Sequence, residues 1–192
     1  MPFKPEFLIL YFDTIVWAVI PFRQYRKKYF YYFYFNNIGD YLTLYMRLLF
    51  HSSSNFFYIP GSILMLIFIQ DEKSLKKYQI FYLISFIVFS ILYFKLNLEG
   101  YVITYGLIHI LILITLCRDF IKAFFRAGTI MTFVAAIILN EAVDTFKIFG
   151  IISGTSNGYF YFYASVAFEI LIGFFFWIKA DNPKLLIKLS RN

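Results

Sequence analysis

The sequence predicts an all-α fold: a polytopic integral membrane helix bundle of seven transmembrane helices, N-terminus outside and C-terminus inside. Three observations carry this. The chain is 61% hydrophobic and only 15% charged, with a mean hydropathy of +0.70, whereas an ordinary soluble domain carries about a quarter charged residues. Its apolar residues fall into runs of the length that crosses a bilayer, about 20 residues of helix. Its basic residues gather between alternate runs, the asymmetry that orients membrane proteins.

Taken in order, residues 7–22 form the first span. Asp13 interrupts the apolar run, only Lys4 precedes it, and RQYRKK follows with no small-residue cleavage site. That pattern is an anchor with its N-terminus outside, not a removable signal. Residues 29–50 are a Tyr/Phe run that also holds Asn36, Asn37, Gly39, Asp40 and Arg47. This stretch crosses if the basic clusters at 23–28 and 71–77 share a side, because residues 56–70 already cross once; if it lies at the interface, six spans remain. HSSSN is the turn between the two, with Pro60 and Gly61 in the first turn of the next helix or at a break. Residues 78–97 span and turn at Leu98-Glu99-Gly100, and residues 101–117 span back. An inside connection at 118–128 leads to the span 129–149, and residues 159–178 return after the polar turn Gly154 to Gly158. The whole, residues 1–192, reads as one transmembrane domain.

Counting basic residues tests the arrangement. The inside segments 23–28, 71–77, 118–128 and 179–192 hold 14 of the 18 Lys and Arg, and the outside turns hold none. Arg47, Lys95 and Lys147 fall near outer ends of spans, where long side chains snorkel to the interface. The net charge of +7 is thereby explained by topology. It is scattered in short clusters and not gathered on one face, so nucleic acid is not an expected partner.

Two inside segments are amphipathic. In 118–128, Arg118, Lys122 and Arg126 recur at helical spacing beside phenylalanines, and the tail 183–192 repeats the pattern with Lys184, Lys188 and Arg191. Both are expected as interfacial helices against the anionic inside leaflet, or else as charged loops obeying the same topology. The 27 Phe and 17 Tyr exceed what interfacial belts need, so many rings must face lipid or neighbouring helices. The single cysteine, Cys117, excludes an internal disulfide.

The chemistry concentrates in the span 129–149, where Asn140, Glu141 and Asp144 interrupt apolar sequence. Charge at that depth is costly and must face the bundle interior, be paired or be neutral. Asp13, Asp40, His109, Glu141 and Glu169 each fall near the centre of their own span, and sequential packing brings the last three together. Asn140, Asp144 and Lys147 share one helix face, with Asp144 and Lys147 as a self-contained ion pair. For Glu141 the expected partners are His109 and the tyrosines of Tyr159 to Tyr163. Such a cluster serves packing, a proton relay or solute site, or a metal site. No HExxH, ExxH or second core histidine supports the last, and no metal or cofactor is expected.

Seven spans resemble microbial rhodopsins, but Lys179 stands at the inner end of the last span and no lysine stands at its centre. The count also resembles PQ-loop sugar transporters, yet no Pro-Gln pair occurs. Three function classes remain. Minimal loops favour a non-catalytic membrane module, either a subunit partnered by other membrane proteins or further copies of itself, or a lipid- or ligand-sensing unit. The midplane carboxylates favour a small-solute or proton-coupled transporter. A membrane-embedded metal enzyme is least supported. The aromatic and Ile-rich composition, which AT-rich codons encode, points to a bacterial inner membrane, with an organellar inner membrane as the alternative.

The charge distribution makes a direct prediction. Reporter fusions after Lys28, Lys77, Ala127 and Asn192 should read as inside, and fusions within Ser52 to Ser54 and Gly154 to Gly158 as outside. An outside signal at Lys28 alone would reduce the spans to six.

Overall fold

The computed structural model describes residues 5–50, 57–70, 72–92, 98–152, 158–179 and 186–188. These form an all-α bundle: α1 (Pro5–Arg23), α2 (Phe30–Phe50), α3 (Tyr58–Phe68), α4 (Glu72–Leu92), α5 (Leu98–Ala127), α6 (Thr132–Ile152) and α7 (Gly158–Ile178). Two three-residue strands, β1 (Thr129–Met131) and β2 (Leu186–Lys188), pair antiparallel beside it. Pro60 sits in the first turn of α3, where its missing N–H has no intrahelical partner to lose. Gly128 ends α5 at φ +58, a left-handed cap in which its N–H donates to the Phe124 carbonyl at 2.9 Å.

The helices close into a ring, α1 to α2 to α3 to α5 to α6 to α7 and back to α1, with α4 outside against α3. Contacts along each pair give the directions. Tyr41 meets Thr14 while Phe33 meets Trp17, so α1 and α2 are antiparallel. Ser62 meets His109 and Gln70 meets Thr115, so α3 and α5 run parallel. Each helix thus has one end beside the turn at 24–29, called here the basic end.

Toward that end the ring is filled. Trp17, Phe33, Phe133 and Phe176, from four helices, pack edge to face, with centroids 4.8 Å apart for Phe33 and Phe176 and 5.2 Å for Phe133 and Phe176. The basic end is closed by polar contacts: Arg23 Nε donates to the Trp177 carbonyl at 3.1 Å, and Arg118 joins Gln70 at 3.3 Å and Asp119 at 3.2 Å. The outer surface is strongly apolar. Phe22 is 83% exposed, Phe146 79% and Phe125 70%, and α4 presents Ile80, Phe81, Leu83, Ile84 and Ile87. One helical stretch among the described residues, Gly100–Arg126, is long and apolar enough to cross a membrane, with a mean hydropathy of 2.0 over its most apolar window.

Several expectations change. Residues 118–128 are not a separate interfacial helix. α5 continues unbroken from Leu98 to Ala127, because Arg118 and Asp119 pair with each other and tolerate helix, and Gly128 is the first residue that stops it. The turn expected at 98–100 is already helical. In the tail, Leu186–Lys188 is a strand, its backbone engaged by Thr129–Met131 in place of helix; α6 consequently begins at Thr132, not at 129. Residues 183–185 and 189–192, with Lys184 and Arg191, lie outside the described residues, as do the predicted turns 51–55 and 154–157.

Close helix approach is concentrated at Gly173, where an added Cβ would lie 2.7 Å from Val16 Cγ1 and 3.3 Å from Trp17 Nε1. Gly173→Ala should lower the thermal midpoint of the purified protein, overpacking costing about 1–3 kcal/mol. Gly150→Ala, with nothing within 4 Å of the added carbon, should leave it unchanged or raise it, since helix propensity gains about 0.5–1 kcal/mol.

Candidate functional site

At mid-bundle four buried side chains from four helices form one hydrogen-bonded chain. Ser62 Oγ on α3 lies 3.0 Å from His109 Nε2 on α5, and His109 Nδ1 lies 2.6 Å from Glu141 Oε1 on α6. The remaining Glu141 oxygen, Oε2, accepts from Tyr32 OH on α2 at 2.8 Å. All four residues are at most 3% exposed. The helical period explains the alignment: Ser62 stands one turn beyond Tyr58, and His109 one turn beyond Tyr105, whose ring meets the imidazole edge to face at 4.4 Å.

Beyond this chain, in the half away from the basic end, the ring encloses a cavity of about 410 Å³. Asp13 (α1), Asp40 (α2), Asp144 and Lys147 (α6) and Glu169 (α7) line it together with Trp17, Tyr58, Tyr101, Tyr105 and Phe162. Lys147 Nζ is shared between Glu169 Oε1 at 2.6 Å and Asp144 Oδ1 at 3.2 Å. Asn140 Nδ2 donates to the other Asp144 oxygen at 3.2 Å, and Tyr58 OH donates to Asp40 Oδ1 at 3.0 Å. Among the described residues, two buried side-chain atoms have no hydrogen-bond partner, Asp13 Oδ1 and Asn140 Oδ1.

The predicted polar residues therefore sort into two groups. His109 and Glu141 belong to the hydrogen-bonded chain; Asp13, Asp40, Asp144 and Glu169 line the cavity, and Asn140 is buried behind its wall, bonded to Asp144. Glu169 joins Lys147 and not His109, so the last three helices do not share one cluster. Lys147 does not snorkel to an edge: two carboxylates within 3.2 Å hold it inward, and the expected Asp144–Lys147 pair is a triad. The tyrosine that meets Glu141 is Tyr32 from the second helix; of the tyrosines expected as its partners, the side chains of Tyr159 and Tyr161 lie outside the described residues. Arg118 contacts Asp119 and Gln70, while Lys122 and Arg126 are exposed. Ser62, Tyr32 and Tyr58 were not singled out by sequence, since one hydroxyl in an apolar run carries no signal until its cross-helix partner is known. Lys147 carried a signal in its position on the Asn140–Asp144 face.

The order hydroxyl, imidazole, carboxylate is that of an activated nucleophile. Ser62, however, is buried in α3 and stands outside the cavity wall, so no substrate carbonyl reaches its Oγ. Without access, these groups can hold a proton and pass it between imidazole and carboxylate. Among the described residues no three His, Cys, Asp or Glu side chains gather as a metal site.

Glutamine can replace Glu141 with every bond kept. Its Nε2 would donate to His109 Nδ1, His109 Nε2–H to Ser62, and Tyr32 to its oxygen, through a change of imidazole tautomer. Glu141→Gln should therefore keep the thermal midpoint within error. Glu141→Leu strands both His109 and Tyr32 and should cost about 1–2 kcal/mol; equal midpoints for the two variants would contradict this account.

No protein-family model, curated protein sequence or solved structure matches the chain, so the geometry alone carries the functional reading.

Proposed function

We propose that the chain is a multi-pass membrane protein that moves a small solute across the bilayer, coupled to a proton. The seven helices cross with the N-terminus outside and the C-terminus inside, and a bacterial inner membrane fits the composition. The apolar exterior supports the membrane reading, since water-exposed apolar patches of that size are rare on soluble monomers. The basic clusters at one end support the orientation, and Lys122 and Arg126, exposed near the end of α5, suit anionic lipid.

The observation that carries transport is the 410 Å³ cavity, with five ionisable side chains from four helices around it and an aromatic seal on its inner side. Packing alone needs no such space. A polar cavity at membrane depth, blocked at one end, is the geometry of a transporter facing outward. The Ser62–His109–Glu141–Tyr32 chain lies between cavity and seal, where a proton gained or lost changes the charge beneath a bound solute. A non-catalytic subunit of a larger complex is the second reading, favoured by α4, which packs on α3 with its other faces apolar and exposed.

Proteoliposomes loaded with a pH-sensitive dye test the choice. A panel of amines, carboxylates and sugars should contain a solute whose addition drives proton movement, and Glu141→Gln should insert normally and abolish it. Absence of any solute-driven proton movement, together with recovery of a stoichiometric membrane partner, would select the subunit reading.

A further inference from the structure

We infer that the cavity is a binding site for a small organic cation carrying N–H groups, a protonated amine. The inference deepens the reading of the cavity as a solute site and rests on it.

Charge comes first. Four carboxylic residues line the space, Asp13, Asp40, Asp144 and Glu169, against one cation, Lys147. The ammonium of Lys147 is committed to Asp144 and Glu169. Asp40 is met by a neutral donor, Tyr58, and no basic residue other than Lys147 lines the wall to serve Asp13. Charge held away from water requires a matching charge or a proton. A cation in the cavity supplies the match, whereas an anion would add a fifth acidic group to the same space.

Unused hydrogen-bonding capacity points the same way. Among the described residues that line the cavity, the buried side-chain atom without a partner is Asp13 Oδ1, an acceptor. What is missing is a donor. A protonated amine carries N–H donors and positive charge on one atom, which a quaternary ammonium or a neutral alcohol does not.

The walls favour an organic ion over a metal ion. Trp17 stands on one side, and Tyr58, Tyr101 and Tyr105 form an aromatic wall, with centroids 5.7 Å apart for Tyr58 and Tyr105 and 6.4 Å for Tyr101 and Tyr105. Such ring faces attract cations and accept apolar groups. A space of 410 Å³ is in the range of small-molecule sites and far larger than a bare ion needs. Binding also implies a stoichiometry: one ammonium entering for one proton leaving keeps the cavity's charge constant, so the coupling is exchange.

Three isosteric probes separate the alternatives by calorimetry on the purified protein: phenethylamine, phenylacetate and 2-phenylethanol. The amine should bind, with proton release seen as a heat that changes with the buffer's ionisation enthalpy, and phenylacetate should not. Asp13→Asn should weaken the amine by about tenfold or more, the scale of one buried charge-assisted contact; Asp40→Asn, also neutral at the wall, should weaken it too if the first variant does not fold. Phenylacetate or phenylethanol binding as tightly as the amine would overturn the cation assignment and leave a solute site standing. Full competition by isotonic sodium chloride would make it an alkali-ion site and overturn the organic ligand. Silence from all three probes would overturn the inference and the solute-site reading together.

Discussion

The contact between His109 and Glu141 is the interaction on which the centre of the bundle depends. At 2.6 Å, with both side chains at most 1% exposed, it places two ionisable groups where neither finds water. Each therefore has to be completed by protein. Ser62 completes the imidazole and Tyr32 the carboxylate, so one pair fixes the relative rotation of α2, α3, α5 and α6. Individual hydrogen bonds inside membrane proteins are worth only about 0.6 kcal/mol on average. Their value here is in specificity: a rotation that buried these helices equally well but broke the chain would strand several polar groups at once.

On either side of that layer the bundle solves two different problems. Toward the basic end the ring is filled with aromatic side chains, because Trp and Phe are large enough to meet across the axis from opposing helices. Toward the other end the rings of Tyr58, Tyr101, Tyr105 and Phe162 and the charged side chains line the space without filling it. Lys147 shows how charge is managed there: it sits between carboxylates from its own helix and the next, which ties α6 to α7 as the hydrogen-bonded chain ties α6 to α5 and α2. Gly173 makes the complementary contribution by letting α7 approach α1 and close the ring.

Much of this was legible in the sequence. The seven helices follow from hydropathy and from the parity of basic clusters, and Phe30–Phe50 is helical throughout despite Asn36, Asn37 and Asp40, since Asn37 is buried and Asn36 and Asp40 line the cavity. Depth counting found His109 and Glu141 because charge in an apolar run is costly wherever it stands. It could not find Tyr32 or Ser62: tyrosine is abundant here and hydroxyls are cheap, so only the three-dimensional meeting marks them. The end of α5 was misplaced because basic residues mark sidedness and not helix termination. Strand pairing of Leu186–Lys188 with Thr129–Met131 joins segments 57 residues apart in register, and nothing local signals it.

The arrangement of α6 suggests how the two halves communicate. Phe133 in the aromatic seal, Ile137, Glu141 in the polar chain, and Asp144 and Ile148 at the cavity recur at steps of three or four residues, which puts them along one face of one helix. Seal, proton-holding layer and cavity are thus three levels of a single rigid element. Any displacement of α6 would move Phe133 against Phe33 and Phe176 at one end and Asp144 with Lys147 at the other. On the proton-coupled reading proposed above, a proton at the middle of α6 would act on both ends through the same backbone, with no relay of contacts between separate helices.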